Sequence, residues 1–201
     1  MMVAQIQASR MTVAEYLAWE AEQPIKHEYM DGEVYAMAGS TLPHNDIALN
    51  VYSVLRSHLR GKGCRVNVSD VKVRLSEQGP YFYPDVVVSC DQRDRTAIDA
   101  ILYPQLIIEV LSPSTGTFDY GRKFQYYRQI PTLEEYVLMD ATQIRCDRYT
   151  KNTANKWELT SYPDDGEDVE HCQVEFSSLG FSCALGLIYE EVELSGVSSA
   201  G

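Results

Sequence analysis

The sequence predicts an α/β fold, a central mixed β-sheet flanked by helices, and three observations carry that reading. Residues 105–111 (QLIIEVL) form an apolar run broken by one acid, the pattern of a central strand covered on both faces. Residues 64–75 (CRVNVSDVKVRL) alternate with period two and read as a strand or a bent hairpin. Between residues 44 and 59, Ile47, Leu49, Val51, Val54, Leu55 and Leu59 form the broad apolar stripe of a packed helix.

The remaining elements follow in order. Thr12, with Glu15 three residues later, is a capping box that opens a short helix over 11–22, closed by Pro24. Asp31-Gly32 is a hairpin turn signal between strands at 27–30 and 33–38. Gly61 and Gly63 stop the long helix. Residues 83–89 (YPDVVVS) read as a strand entered through a proline, and 91–100 as a polar loop or short helix. Residues 112–116 (SPSTG) are a turn, and 119–130 a helix with Phe124 and Tyr127 on one side. Strands follow at 133–140 and 143–149, with further sheet at 156–161 and a segment at 174–181 that packs back.

Composition bounds the function. The 201 residues suit one domain, here taken as 1–201 with a core of about 11–150 and an acidic C-terminal extension over 157–201. That extension carries ten of the acids and no Lys or Arg, so most of the net charge of −12 lies there. Such a distribution disfavours broad nonspecific affinity for DNA, since phosphates need cationic neighbours. Residues 56–74 do collect Arg56, Arg60, Lys62, Arg65, Lys72 and Arg74 against Asp70 alone. That stretch reads first as a solvated face and second as a local basic groove. No apolar run is long enough to span a bilayer, and the first residues lack the h-region of a signal peptide, so a cytoplasmic location is expected and no membrane partner. Five scattered cysteines without a C-x-x-C pair point to reduced thiols and against a zinc site or disulfide framework.

Two acids require explanation. Glu109 stands among Leu106, Ile107, Ile108, Val110 and Leu111, and Asp85 stands between Pro84 and Val86-Val87-Val88. A buried, unpaired charge costs several kcal/mol, so such groups persist when paired with a cation, bound to a metal or set at the mouth of a cleft. Two carboxylates on neighbouring strands can hold Mg²⁺, with Mn²⁺ as a substitute, because that ion takes one or two protein carboxylates together with waters and substrate phosphate. A bound cation of this kind polarises a phosphoryl group and acidifies an attacking water.

Asp85 in YPDVVV, followed by Glu109 in LIIEVLSPST, resembles the PD-(D/E)XK nuclease superfamily. The string EVLSPST…FDYGRKFQYYRQIPTLEEYVLMD is more narrowly similar to the bacterial Uma family of restriction-endonuclease-like proteins. Residues 11–17 (MTVAEYL), the EYMDGEVY turn and His44 fit the same family, so the resemblance spans about 11–150. It implies a restriction-endonuclease-like core with an N-terminal helix and hairpin, and a Mg²⁺-dependent endonuclease acting on DNA. Asp85 and Glu109 would bind the metal.

One departure stands out: the superfamily places a lysine two residues after the glutamate, where this chain has Leu111. The resemblance moves that role to Lys123, which shares a helix face with Asp119 and Tyr127, with Lys72 as the weaker option. It also makes Glu33 a third acid that binds metal or holds Lys123, although a turn-flanking acid alone reads as solvated. His44, at a helix start, either caps and packs or contacts phosphate and acts as a base. The displaced lysine and the acidic tail leave an alternative open, a catalytically silent nuclease-like module for DNA binding or assembly. A homodimer is a further expected partner arrangement, since small nucleases that cut two strands commonly pair isologously.

Overall fold

The computed structural model describes residues 10–37, 39–112, 116–164 and 168–194, so the ends of the chain and most of the expected 112–116 turn lie outside the described residues. Helix α1 (Val13–Glu20) opens on the expected box: Thr12 accepts from the Glu15 N–H, and Glu15 accepts from the Thr12 N–H at 2.8 Å. Asp31 and Gly32, at φ 54° and 86°, make the tight turn between β1 (His27–Met30) and β2 (Glu33–Ala36). Helix α2 (Leu42–His58) starts two residues before the expected start at 44, because Thr41 caps it and Pro43 sits in its first turn.

The alternating stretch at 64–75 splits between two sheets. Its first half, β3 (Arg65–Val68), pairs antiparallel with β6 (Val86–Ser89). Its second half, β4 (Lys72–Arg74), pairs with β5 (Tyr81–Phe82) and with β7 (Ala100–Ile101), which follows the short helix α3 (Gln92–Arg95). The break falls at Ser69, at φ 51°, whose N–H donates to the Asp85 carbonyl at 2.8 Å. A period-two pattern fixes which face each side chain takes, not which partner strand it meets.

The central strand is β8 (Leu106–Leu111), antiparallel to β6 and parallel to β9 (Glu135–Asp140). The crossover between these parallel strands includes α4 (Gly116–Phe118), a π-helical turn (Asp119–Lys123) and α5 (Phe124–Tyr127). Strands β10 (Cys146–Lys151) and β11 (Trp157–Tyr162) complete a mixed six-stranded sheet ordered β11-β10-β9-β8-β6-β3. A second sheet runs β2-β1-β5-β4-β7. The hairpin of β12 (Gln173–Phe176) and β13 (Phe181–Ala184), followed by α6 (Leu185–Ile188), comes last.

The six-stranded sheet has two apolar faces. Val86, Val88, Leu106, Ile108 and Val110 pack with α2, the β12–β13 hairpin and α6. The alternate residues Val87, Ile107 and Leu111 pack with Met30, Val73 and Phe82 of the second sheet and with Tyr127. Val174, Phe176, Leu185 and Ile188 are fully buried in the first layer, so the packed core runs on well past residue 150.

Cys64 and Cys90 continue the β3–β6 pairing one step beyond Arg65↔Ser89 and are joined as a disulfide, which corrects the expectation of reduced thiols throughout. The pairing requires tertiary proximity that an odd, scattered set of cysteines does not reveal. Cys146, Cys172 and Cys183 are buried.

Candidate active site

The register of β6 against β8 pairs Val86 with Ile108. Carried one residue further, it sets Asp85 opposite Glu109. Glu109 leaves β8 on the face that carries Ile107 and Leu111, towards the second sheet and the crossover helix, whereas Asp85 stands just before β6 and its carboxylate meets His44 of α2. Directly opposed like charges destabilise a strand pair unless something cationic joins them. Asp85 is held in place by the Val110 N–H, which donates to its Oδ2 at 2.7 Å.

The nearest cation to Glu109 is Lys123. Its Nζ lies 3.1 Å from Glu109 Oε1, 3.0 Å from Glu28 Oε1 and 3.4 Å from Asp119 Oδ1. The Tyr127 hydroxyl also donates to Glu109 Oε1, at 3.1 Å. Lys123 and Tyr127 thus both face Glu109, as the spacing of the helix implies. Lys123 closes the π-helical turn, a local widening that is common at functional sites. The Tyr136 hydroxyl anchors that turn by donating to the Asp119 carbonyl at 3.0 Å.

Glu28 is the acid that sequence reasoning missed. It shares a face of β1 with Met30, which belongs to the layer between the sheets, and it accepts from the Tyr83 N–H at 3.2 Å. No local signal marks it: that all of His27–Met30 is buried, so that an acid there needs a partner, follows from the packing of β1 between two layers. Glu33 lies elsewhere. It does not line the cavity described below, and its carboxylate accepts from the Tyr35 hydroxyl at 2.5 Å. Lys72 does not line that cavity either, although its ammonium lies 5.9 Å from the ring centroid of Tyr83, which does.

His44, in the first turn of α2, places Nε2 3.3 Å from Asp85 Oδ2. With Asp85, Glu109, Lys123, Glu28 and Asp119 it lines one cavity of about 660 Å³. Five acids (Glu28, Asp70, Asp85, Glu109 and Asp119) face into this cavity against two lysines, Lys26 and Lys123.

The electrostatics follow from that imbalance. Burial pushes the Glu109 carboxyl well above the usual range; Lys123 opposes the shift, and neighbouring acids reinforce it. Burial likewise raises Glu28 against the pull of Lys123. Burial alone would lower Lys123, but Glu109, Glu28 and Asp119 together hold it well above the ordinary lysine value, so it is charged. For His44, burial is again the largest single influence and acts downward. The hydrogen bond and charge of Asp85 lead the opposing influences, and the net shift is upward.

Among the described residues no three or more His, Cys, Asp or Glu side chains form a ready-made cation cage. The donor chemistry that fits a hard divalent cation is the Asp85–Glu109 pair, which offers carboxylate oxygens from adjacent strands. Among the described residues, the contacts of Asp85 fall on Oδ2 and those of Glu109 on Oε1.

Comparison with known proteins agrees with this fold. The chain is 39% identical over 180 residues to "Uncharacterized protein slr1290" of Synechocystis sp., an alignment covering 90% of this chain and 92% of that relative. It is 35% identical over 162 residues to "Uncharacterized protein sll1609" of the same organism, covering 80% and 92%. A crystal structure from Anabaena variabilis, described as "a putative nuclease belonging to DUF820", superimposes with a TM-score of 0.71 at 15% identity, covering 89% of this chain and 97% of that one. At that identity the likeness speaks for the fold. The family model Uma2, described as "Putative restriction endonuclease", matches residues 13–183. The chain therefore belongs to the Uma2 family of restriction-endonuclease-like proteins.

Proposed function

We propose that this protein is a metal-dependent endonuclease that hydrolyses DNA phosphodiester bonds with Mg²⁺, or Mn²⁺ in its place. The observation that carries the proposal is the convergence of Asp85, Glu109 and Lys123 on one recessed cavity from two strands and a helix. Asp85 and Glu109 would hold the cation. When bound, it would polarise the phosphoryl group and lower the pKa of an attacking water. It would also neutralise an acidic cavity that otherwise repels a phosphate.

The chain's own groups have distinct tasks in this reading. Lys123 donates a hydrogen bond to the attacking water or to the phosphoryl oxygens on which charge develops, and its raised pKa keeps it charged for that purpose. Glu28 and Asp119 act as positioning residues, fixing its ammonium from two further sides. His44, kept in place by Asp85, can donate to a phosphate oxygen when protonated.

One observation favours the second reading, a silent nuclease-like DNA-binding or assembly module: three carboxylates already engage Lys123. Cleavage separates the two. Purified protein, given single-stranded circular and supercoiled duplex DNA with Mg²⁺, Mn²⁺ or EDTA, should cut with either metal and not with EDTA. The Asp85→Ala and Glu109→Ala variants should be inert. Metal-dependent cutting that survives Asp85→Ala would refute the endonuclease reading of this site.

A further inference from the structure

We propose that the cavity admits nucleic acid as an unpaired strand and excludes intact duplex. This inference rests on the nuclease reading above and names the substrate class of that site.

The reacting groups are recessed. Asp85 and His44 expose only 16% and 15% of their side chains, and Glu109 and Lys123 only 4% and 8%. A duplex is a rod whose phosphates lie on its outside, next to their neighbours and the paired strand. It cannot lower one phosphate to the floor of a 660 Å³ cavity without local unpairing. That volume falls in the range that encloses a small ligand of nucleotide size.

Charge points the same way. A duplex footprint needs many cations along a surface. Among the described residues the cavity supplies Lys26 and Lys123, with His44 when protonated, against five acids. None of the cations of residues 56–74 lines the cavity, and of them Lys72 comes near it, 5.9 Å from the ring centroid of Tyr83. Arg56 lies twelve residues along α2 from His44, about 18 Å away at 1.5 Å per residue. Arg65 is committed to the Asp94 and Ala97 carbonyls, each at 2.7 Å.

The lip suits exposed bases. Ile25, 52% exposed, lines the cavity beside Lys26, and Met37 and Phe118 add apolar surface to its lining. Unpaired bases offer apolar faces to such side chains, whereas a duplex hides those faces in its stack.

The test uses the full chain and three labelled DNA probes: a single strand, its blunt duplex, and a duplex with a single-stranded flap. Cleavage is followed with Mn²⁺, and binding by fluorescence anisotropy with Ca²⁺. The single strand and the flap should be cut at least roughly tenfold faster than the blunt duplex, because unpairing a nucleotide is costly. They should also bind in that order. Ile25→Glu at the lip should weaken single-strand binding by roughly fivefold or more.

A blunt duplex cut or bound as well as the single strand overturns the inference, as does failure of every probe to bind. If no probe is cut, yet the single strand binds best and Ile25→Glu weakens it, the nuclease reading fails while the cavity's preference stands.

Discussion

Lys123 joins Glu109 of the central sheet to Glu28 of the second sheet, with its ammonium 3.1 Å from one carboxylate and 3.0 Å from the other. One cation from the crossover helix thus sits where two sheets bring their acids together. It offsets charge that the layer between the sheets could not otherwise tolerate. The arrangement accounts for a glutamate in the middle of an apolar strand that is followed by Leu111 in place of a lysine.

Asp85→Asn should separate metal binding from folding. An asparagine oxygen can still accept from the Val110 N–H, which now donates to Asp85 at 2.7 Å. The variant should melt close to the wild type yet lose cleavage by roughly a hundredfold or more, since even outer-shell losses around metals cost tenfold to a hundredfold. Isothermal titration with Mn²⁺ checks the cause, and undiminished Mn²⁺ affinity would speak against Asp85 as a ligand.

Glu28→Gln tests a positioning role. Glutamine can still accept from the Tyr83 N–H and from Lys123 but no longer balances its charge. The expected result is a kcat lower by about tenfold with KM little changed. Equal losses with Glu28→Gln and with the bulkier disruption Glu28→Leu, both accompanied by unfolding, would reduce Glu28 to a structural acid.

Glu33→Ala should do little. The residue flanks the Asp31-Gly32 turn and contacts Tyr35 rather than the cavity. Stability should change by no more than about 0.5 kcal/mol, as for ordinary surface changes, and cleavage should persist. A dead but folded Glu33→Ala variant would return Glu33 to the site.

The metal-free protein should lose stability as pH rises. Burial holds the carboxyls of Glu109 and Glu28 above their unfolded value of 4.5, so the folded state keeps protons that the unfolded chain releases. The stability tied to those protons is fully present below that value and is lost as pH rises through the folded pKa. The raised Lys123 has the same sign, but its loss comes only at alkaline pH. Melting temperatures in EDTA should therefore fall as pH rises above 4.5, and Mn²⁺ should stabilise most at the higher pH, where it replaces a released proton. A melting temperature that is flat with pH, with or without Mn²⁺, would contradict the buried cluster.

Much of the fold could be read from local pattern. The Thr12–Glu15 box, the Asp31-Gly32 turn and the LIIEVL run each determine their own structure through short-range physics, and each is found in place. Asp85 and Glu109 were legible for the same reason, since acids in apolar strands announce a cost that something must offset.

The misses are non-local. Choosing Glu28 over Glu33 requires knowing that β1 is covered on both faces, by the Tyr16 cluster and by the layer holding Lys123. The division of residues 64–75 between sheets and the Cys64–Cys90 bond depend on which strands meet. The π-helical turn around Asp119 leaves no mark on an i, i+4 spacing.

The claim at the centre is that Lys123 has taken over the role of the missing strand lysine. The most direct measurement is Mn²⁺-dependent DNA cleavage by Lys123→Met and Lys72→Met, each first shown to be folded by circular dichroism and urea melts. Lys123→Met should fold less stably by about 3–5 kcal/mol, the cost of stripping a buried cluster of its cation. Cleavage by the folded Lys123→Met protein should fall by roughly a hundredfold or more, while Lys72→Met keeps its activity within about threefold. A folded Lys123→Met that still cuts, beside a folded Lys72→Met that does not, would contradict the account and move the lysine's role to β4.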